Sequence, residues 1–208
     1  MISARPPRSD RGSTLPLYIW LTGILLFAAF AFFAFAQAAS ARNGAQSAAD
    51  AAALAAAQSA RDDLMEGLEG AIGLEDDWLD WLDGDGFDGA GLDGAGATAA
   101  AQQLAAENDS TVQGGAQATS VGGLPGFRVA VETNFTVGDS IIPGTETQHA
   151  KADATAVIEP RCDFDLDADP TEPITLDCDG EPVDIDPEDF DVDDLPDASV
   201  LFSVYLAE

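Results

Sequence analysis

The stretch LPLYIWLTGILLFAAFAFFAFAQAASARNGAQSAADAAALAAAQSARDDL, residues 15–64, decides how this chain folds. Its first 22 residues, Leu15 to Ala36, carry no charge. A helix of that length spans about 33 Å, enough for a hydrocarbon core of about 30 Å. Pro16 falls in the first turn, where its missing N–H is not needed. Tyr18 and Trp20 lie near one end, where amphipathic rings favour the membrane interface. These features predict a transmembrane helix over 15–36. Nothing breaks the helix beyond it, because residues 37–64 are dominated by alanine, the best helix former, with only Gly44 against it. The small side chains of this outer half let another helix approach closely.

Upstream, Arg5, Arg8 and Arg11 mark a basic arm over 1–14. Downstream, residues 43–208 hold four basic against 37 acidic side chains, a net charge of −33. The positive-inside bias therefore predicts a single-pass protein of the cell membrane, with a cytoplasmic N-terminus and an extracytoplasmic C-terminal domain. Ala34-Phe-Ala36 and Ala36-Gln-Ala38 have the A-x-A form of a signal-peptide cleavage site. The apolar run exceeds the usual 7–15 or so residues of such a peptide, which favours a retained anchor over a secreted product.

Residues 62–83 extend the helix in acidic amphipathic form. Leu64, Leu68 and Ile72 recur every four residues, and Trp78 and Trp81 add to an apolar surface that suits packing on the chain's own domain first, with the two tryptophans as candidate anchors for a docking partner as the alternative. An extracytoplasmic helix over 37–83 is thus expected. The Gly/Asp-rich segment 84–96 reads as a linker.

From residue 97 to 208 the pattern predicts a small α+β domain. ATAAAQQLAAEND, 97–109, reads as a short helix. Phe127, Val129, Val131, Thr133, Phe135 and Val137 then alternate with polar residues, as do Ala150, Ala152, Ala154, Ala156 and Ile158. A turn-rich connection, 138–148, joins these two strands into an antiparallel pair. Val200, Phe202, Val204 and Leu206 supply a third strand. The alanine face of the second strand is expected to receive the 97–107 helix, giving a small antiparallel-sheet domain on a stalk.

Between the last two strands lies an acidic lobe, 162–197, with 16 Asp and Glu and no basic residue. High like charge, with Pro182, Pro187 and Pro196, predicts the weakest order in the chain there. Cys162 and Cys178, in one extracytoplasmic domain, predict a disulfide closing a short loop and stabilising by about 3 kcal/mol. Asp163, Asp165, Asp167 and Asp169 alternate with Phe164, Leu166 and Ala168. In an extended strand their carboxylates would line one face about 7 Å apart. They are the calcium candidates, since calcium takes carboxylate oxygens, although no calcium-loop grammar accompanies them.

Several function classes are excluded at this stage. The charge has no footprint for nucleic acid. One histidine and two cysteines leave little for metal or nucleophile chemistry, and His149 has no partner at catalytic spacing. No enzyme, resident cofactor or small-molecule substrate is expected.

The N-terminal region resembles TadE/TadG-like proteins of the tight-adherence (Flp) pilus assembly system. The resemblance rests on the Arg11-Gly12-Ser13 junction, the single apolar helix and the stretch Gln46-Ser-Ala-Ala-Asp-Ala-Ala-Ala-Leu-Ala-Ala-Ala57. The alanine and arginine bias resembles such chains from high-GC Gram-positive bacteria. In pseudopilins of this system cleavage follows a glycine and the fifth mature residue is glutamate. Cleavage after Gly12 would place Leu17 there, so the resemblance is to the permanently anchored TadG-like members. It implies a cell-surface accessory of pilus assembly, acting by helix packing with other helical subunits or with itself. The alternative is a calcium-dependent acidic surface-binding or adhesive protein using the lobe.

Overall fold

Alanine's helix preference and the uncharged run before it combine, in the computed structural model of the protein, into one unbroken helix. α1 spans Thr14–Ala71, 58 residues and about 87 Å. The structure describes residues 14–74, 78–82, 94–136, 147–165 and 167–207. The basic arm with Arg5, Arg8 and Arg11, the greater part of the 84–96 linker and most of the 138–148 connection lie outside them.

The helix stops short of Asp83. Gly73 adopts φ +74°, the left-handed conformation that ends helices, and the Leu74 N–H donates to Ala71 O. Its nearest non-neighbouring group is the Pro187 carbonyl, and a β-carbon at Gly73 would lie 2.6 Å from that oxygen. A single turn of 3-10 helix, Trp78–Trp81, follows. α2 then runs over Gly94–Glu107, so the last three residues of the expected linker are helical.

The main sheet has four antiparallel strands in the order β1-β2-β3-β7: Ser110–Val121, Leu124–Thr136, His149–Pro160 and Phe202–Leu206. The pairing of β2 with β3 follows from their alternation. β1 is an additional strand. It joins β2 through Gly122 and Gly123, both at positive φ, the requirement of the tightest two-residue hairpin. Val200 belongs not to the last strand but to a short helix, α3, Ala198–Leu201, whose N-terminus is capped by the Asp197 carboxylate accepting from the Ser199 N–H.

The alanine face of β3 receives α1, not the 97–107 helix expected there, which packs beside β1 instead. Ala48, Ala49, Ala52, Ala53, Ala56, Ala57 and Ala60 are fully buried, packed in one cluster with Phe127, Val129 and Val131 of β2 and Ala154, Ala156 and Ile158 of β3. Small residues on both sides allow a helix to lie close over a sheet; α2 buries Ala97, Ala101 and Ala105 in the same cluster and lies beside α1 and β1. The outer half of α1 is therefore the centre of the domain, not a stalk beneath it.

The acidic lobe folds as well. β4 (Cys162–Asp163), β5 (Ile174–Cys178) and β6 (Glu181–Ile185) form a second antiparallel sheet. Asp179 and Gly180, both at positive φ, make the hairpin turn between β5 and β6. Ile174, Leu176, Cys178 and Ile185 bury inward with Ile72, Trp78, Leu79 and Leu82, and Cys162 is bonded to Cys178. The alternation hidden among the aspartates supplies a core that offsets the charge repulsion predicted to loosen this region.

Candidate functional site

The feature that sets this molecule apart is the change of environment along α1. From Leu15 to Phe35 the large apolar side chains are exposed, Phe32 and Phe35 each at 77%. None of the apolar window is buried within the protein, and by length and composition this is a helix able to cross a membrane. Burial begins at Ala41, five residues past Ala36, and continues to the helix end. One rigid element thus has an apolar face with no protein on it at one end and a domain core around it at the other.

At the junction the packing is close. Gly44 faces Phe135, whose ring would lie 3.4 Å from a β-carbon at that position. Beside it, Thr133 is buried and donates its hydroxyl to Phe135 O, while its oxygen accepts from the Ala150 N–H. His149 Nδ1 donates to Thr133 O at 2.6 Å, which makes this histidine part of the strand-end hydrogen bonding.

The other candidate residues have structural roles. Trp78 is fully buried, and its Nε1 donates to Pro170 O at 2.9 Å, tying the 3-10 turn that follows α1 to the lobe. It is a core residue and not a docking anchor. Trp81 lies in the same helical turn, and its side chain falls outside the described residues. Asp163, Asp165, Asp167 and Asp169 do not line one face of a strand, because β4 ends at Asp163. Asp165 accepts from the Asp167 N–H, and Asp169 accepts from both the N–H and the hydroxyl of Thr171. Asp177, Asp186, Asp191 and Asp197 cap backbone N–H groups in the same manner. Short acidic side chains compete well for local N–H groups in turns, which is why the lobe uses them.

At Asp169 and Asp197 the bonds shift titration. The Thr171 hydroxyl, then its N–H, holds the Asp169 carboxyl below its ordinary value, and Ser199 does the same for Asp197. On the outer face of the main sheet, hydrogen bonding to Lys151 lowers Glu132, and burial raises Tyr205. Among the described residues no group of three or more His, Cys, Asp or Glu is placed to hold a metal ion. An open groove beside α3 is lined by Asp62, Met65, Glu66, Glu69 and Ala198.

Fold and site together define a protein with one apolar N-terminal helix whose outer half organises an α+β domain stapled by a disulfide. The stretch of α1 that makes the transition is also the stretch with known counterparts. Residues 12–59 match the Tad family model, described as "Putative Flp pilus-assembly TadE/G-like". The similarity covers 48 of the 208 residues. It takes in the apolar half and the alanine face, and leaves the sheet, α2 and the lobe outside. No curated protein and no solved structure matches the chain.

Proposed function

We propose that this protein is a single-pass, membrane-anchored accessory of pilus assembly of the TadG-like kind, with the basic arm in the cytoplasm and the α+β domain outside. The observation that carries the reading is the unbroken α1, exposed and apolar over its first part and buried in a folded domain over its second, within the segment that matches the Tad family. Its action is mechanical and non-enzymatic: the domain is held at a fixed distance and rotation relative to the membrane helix.

Helix packing with other subunits belongs to the membrane half. The alanine face beyond Ala41 is already covered by the protein's own sheet and α2, and leaves no room there for a second helix. Leu17 argues against a polymerised pilin, since leucine cannot neutralise a neighbouring subunit's N-terminal amine within lipid.

The test is the mature N-terminus and intact mass of the native protein from a membrane fraction. An uncut chain, or one lacking only Met1, is the expected result. Cleavage after Gly12 would make the chain a pseudopilin, and cleavage near Ala36 to Ala38 would release the domain and overturn the anchored reading. Calcium titration of the same sample separates the adhesive alternative: a calcium-induced rise in melting temperature, abolished by neutralising Asp163, Asp165, Asp167 and Asp169, would replace the accessory role.

A further inference from the structure

Five of the eight lysines and arginines lie among the described residues. Four have a carboxylate partner: Arg61 with Asp62, Arg128 with Asp153, Lys151 with Glu132, and Arg161 with Asp179. Arg42 does not. It is exposed, and no described side chain engages it, in a protein with 38 acidic residues. Its neighbours one turn away are Ala38, Ala39, Ala45 and Gln46. Gln46 gives its amide to Asp50 at 2.7 Å, two turns further from the membrane half.

Position gives this cation a partner of another kind. Arg42 stands six residues past Ala36, so its Cα lies about 9 Å beyond the end of the apolar run. Side chains on a helix lean toward its N-terminus, which here is the membrane side. A headgroup layer about 5–8 Å thick separates hydrocarbon from water on each side. An arginine that lays its stem along α1 reaches back into that layer. We propose that Arg42 binds the phosphate of an outer-leaflet phospholipid headgroup and thereby sets the depth and rotation of α1. The planar guanidinium offers paired donors that match phosphate oxygens. A domain of net charge −33 is repelled by an anionic leaflet, and Arg42, next to the first buried residue Ala41, supplies attraction at the level where the domain meets the lipid.

The inference rests on the reading of residues 15–36 as a retained anchor, and the experiment separates the two. The full chain is reconstituted in vesicles of phosphatidylcholine and phosphatidylglycerol, floated on a density gradient, and examined by native mass spectrometry for retained phospholipid. A parallel sample uses a phosphate-free galactolipid. Wild type is expected to float and to retain phospholipid but not galactolipid. Arg42→Gln is expected to float equally, melt at the same temperature and retain about fivefold less phospholipid, with Arg42→Lys intermediate. Failure of the wild type to float overturns the anchor and this inference together. Flotation with retention unchanged by Arg42→Gln overturns this inference alone, as does retention displaced by inorganic phosphate, which would assign the site to free phosphate. Unchanged retention with loss of an oligomer would assign Arg42 to a carboxylate of a second subunit and also overturn it.

Discussion

Gly73 shows how much can depend on one missing β-carbon. The left-handed φ of +74° is strained for any other residue, by about 1–2 kcal/mol, and the Pro187 carbonyl leaves no space for a side chain. Gly70, three residues earlier, is helical with open space around it. Gly73→Ala should therefore destabilise by at least about 2 kcal/mol, whereas Gly70→Ala should stabilise by up to about 1 kcal/mol. Thermal unfolding followed by circular dichroism tests the pair, and shifts of the same sign would refute the assignment. A second residue-scale prediction concerns pH. Asp169 has a lowered folded-state pKa, so its bonds to Thr171 stabilise the lobe above the ordinary carboxylate value of 3.8 and are lost as pH falls through the lower folded value. Thr171→Val removes the hydroxyl donor. Carboxyl carbon NMR should then show the Asp169 midpoint rising toward 3.8 while Asp197, capped by Ser199, stays put. An unmoved Asp169 would mean that the hydroxyl bond is not what lowers it.

At the scale of elements, the alanine face of α1 is where helix meets sheet, and it should tolerate no added volume. Ala56→Leu inserts three carbons at a fully buried position and should destabilise by about 1–3 kcal/mol. Ala29→Leu, on the exposed membrane half of the same helix, should leave the domain's melting temperature unchanged. Equal melting of the two variants would show that the outer alanines face nothing. The existence of α1 was legible in the sequence, because an uncharged run followed by alanine has only one strong local preference. Its packing partner was not: the alanines of 37–60 and of β3 were read as separate small faces, and nothing local says that they face each other. β1 was missed because STVQGGAQATSV lacks the alternation that marks a half-buried strand, and its bulge at Gly114 and Gly115 is held by α2, where Thr98 Oγ1 accepts from the Ala116 N–H. The disulfide was legible from compartment and count. The order of the lobe was not, since counting charges hid Ile174, Leu176 and Ile185, the Asp179-Gly180 hairpin and the capping work of the aspartates. Packing of the Trp78 segment on its own domain was legible from its apolar face, but its partner was not: nothing local reveals that Pro170, 92 residues away, accepts the Trp78 N–H.

The whole molecule makes a stronger claim than an anchor with a domain attached. If α1 were a stalk, residues 97–208 would fold without it, and any truncation upstream would be tolerated. In the structure, residues 41–60 contribute Ala41, Ala45, Ala48, Ala49, Ala52, Ala53, Ala56, Ala57 and Ala60 to the interior, and Phe127, Val129, Val131 and Ile158 have that helix as their covering layer. A chain of residues 41–208 should then be water-soluble, monomeric and cooperatively folded with the Cys162–Cys178 bond formed, because it lacks only helix that the domain does not bury. A chain of residues 61–208 keeps every strand and α2, yet should aggregate or bind a hydrophobic dye, since an uncovered sheet face of that size is not stable in water. Expression of both chains, with melting curves and sedimentation, decides the matter. Two equally folded products would restore the stalk. A folded first and an unfolded second would mean that movement or tension in the membrane helix reaches the sheet without passing a hinge, since α1 carries no break between Thr14 and Ala71. On the proposed reading, that continuity would let a partner gripping the apolar half determine how the acidic domain is presented.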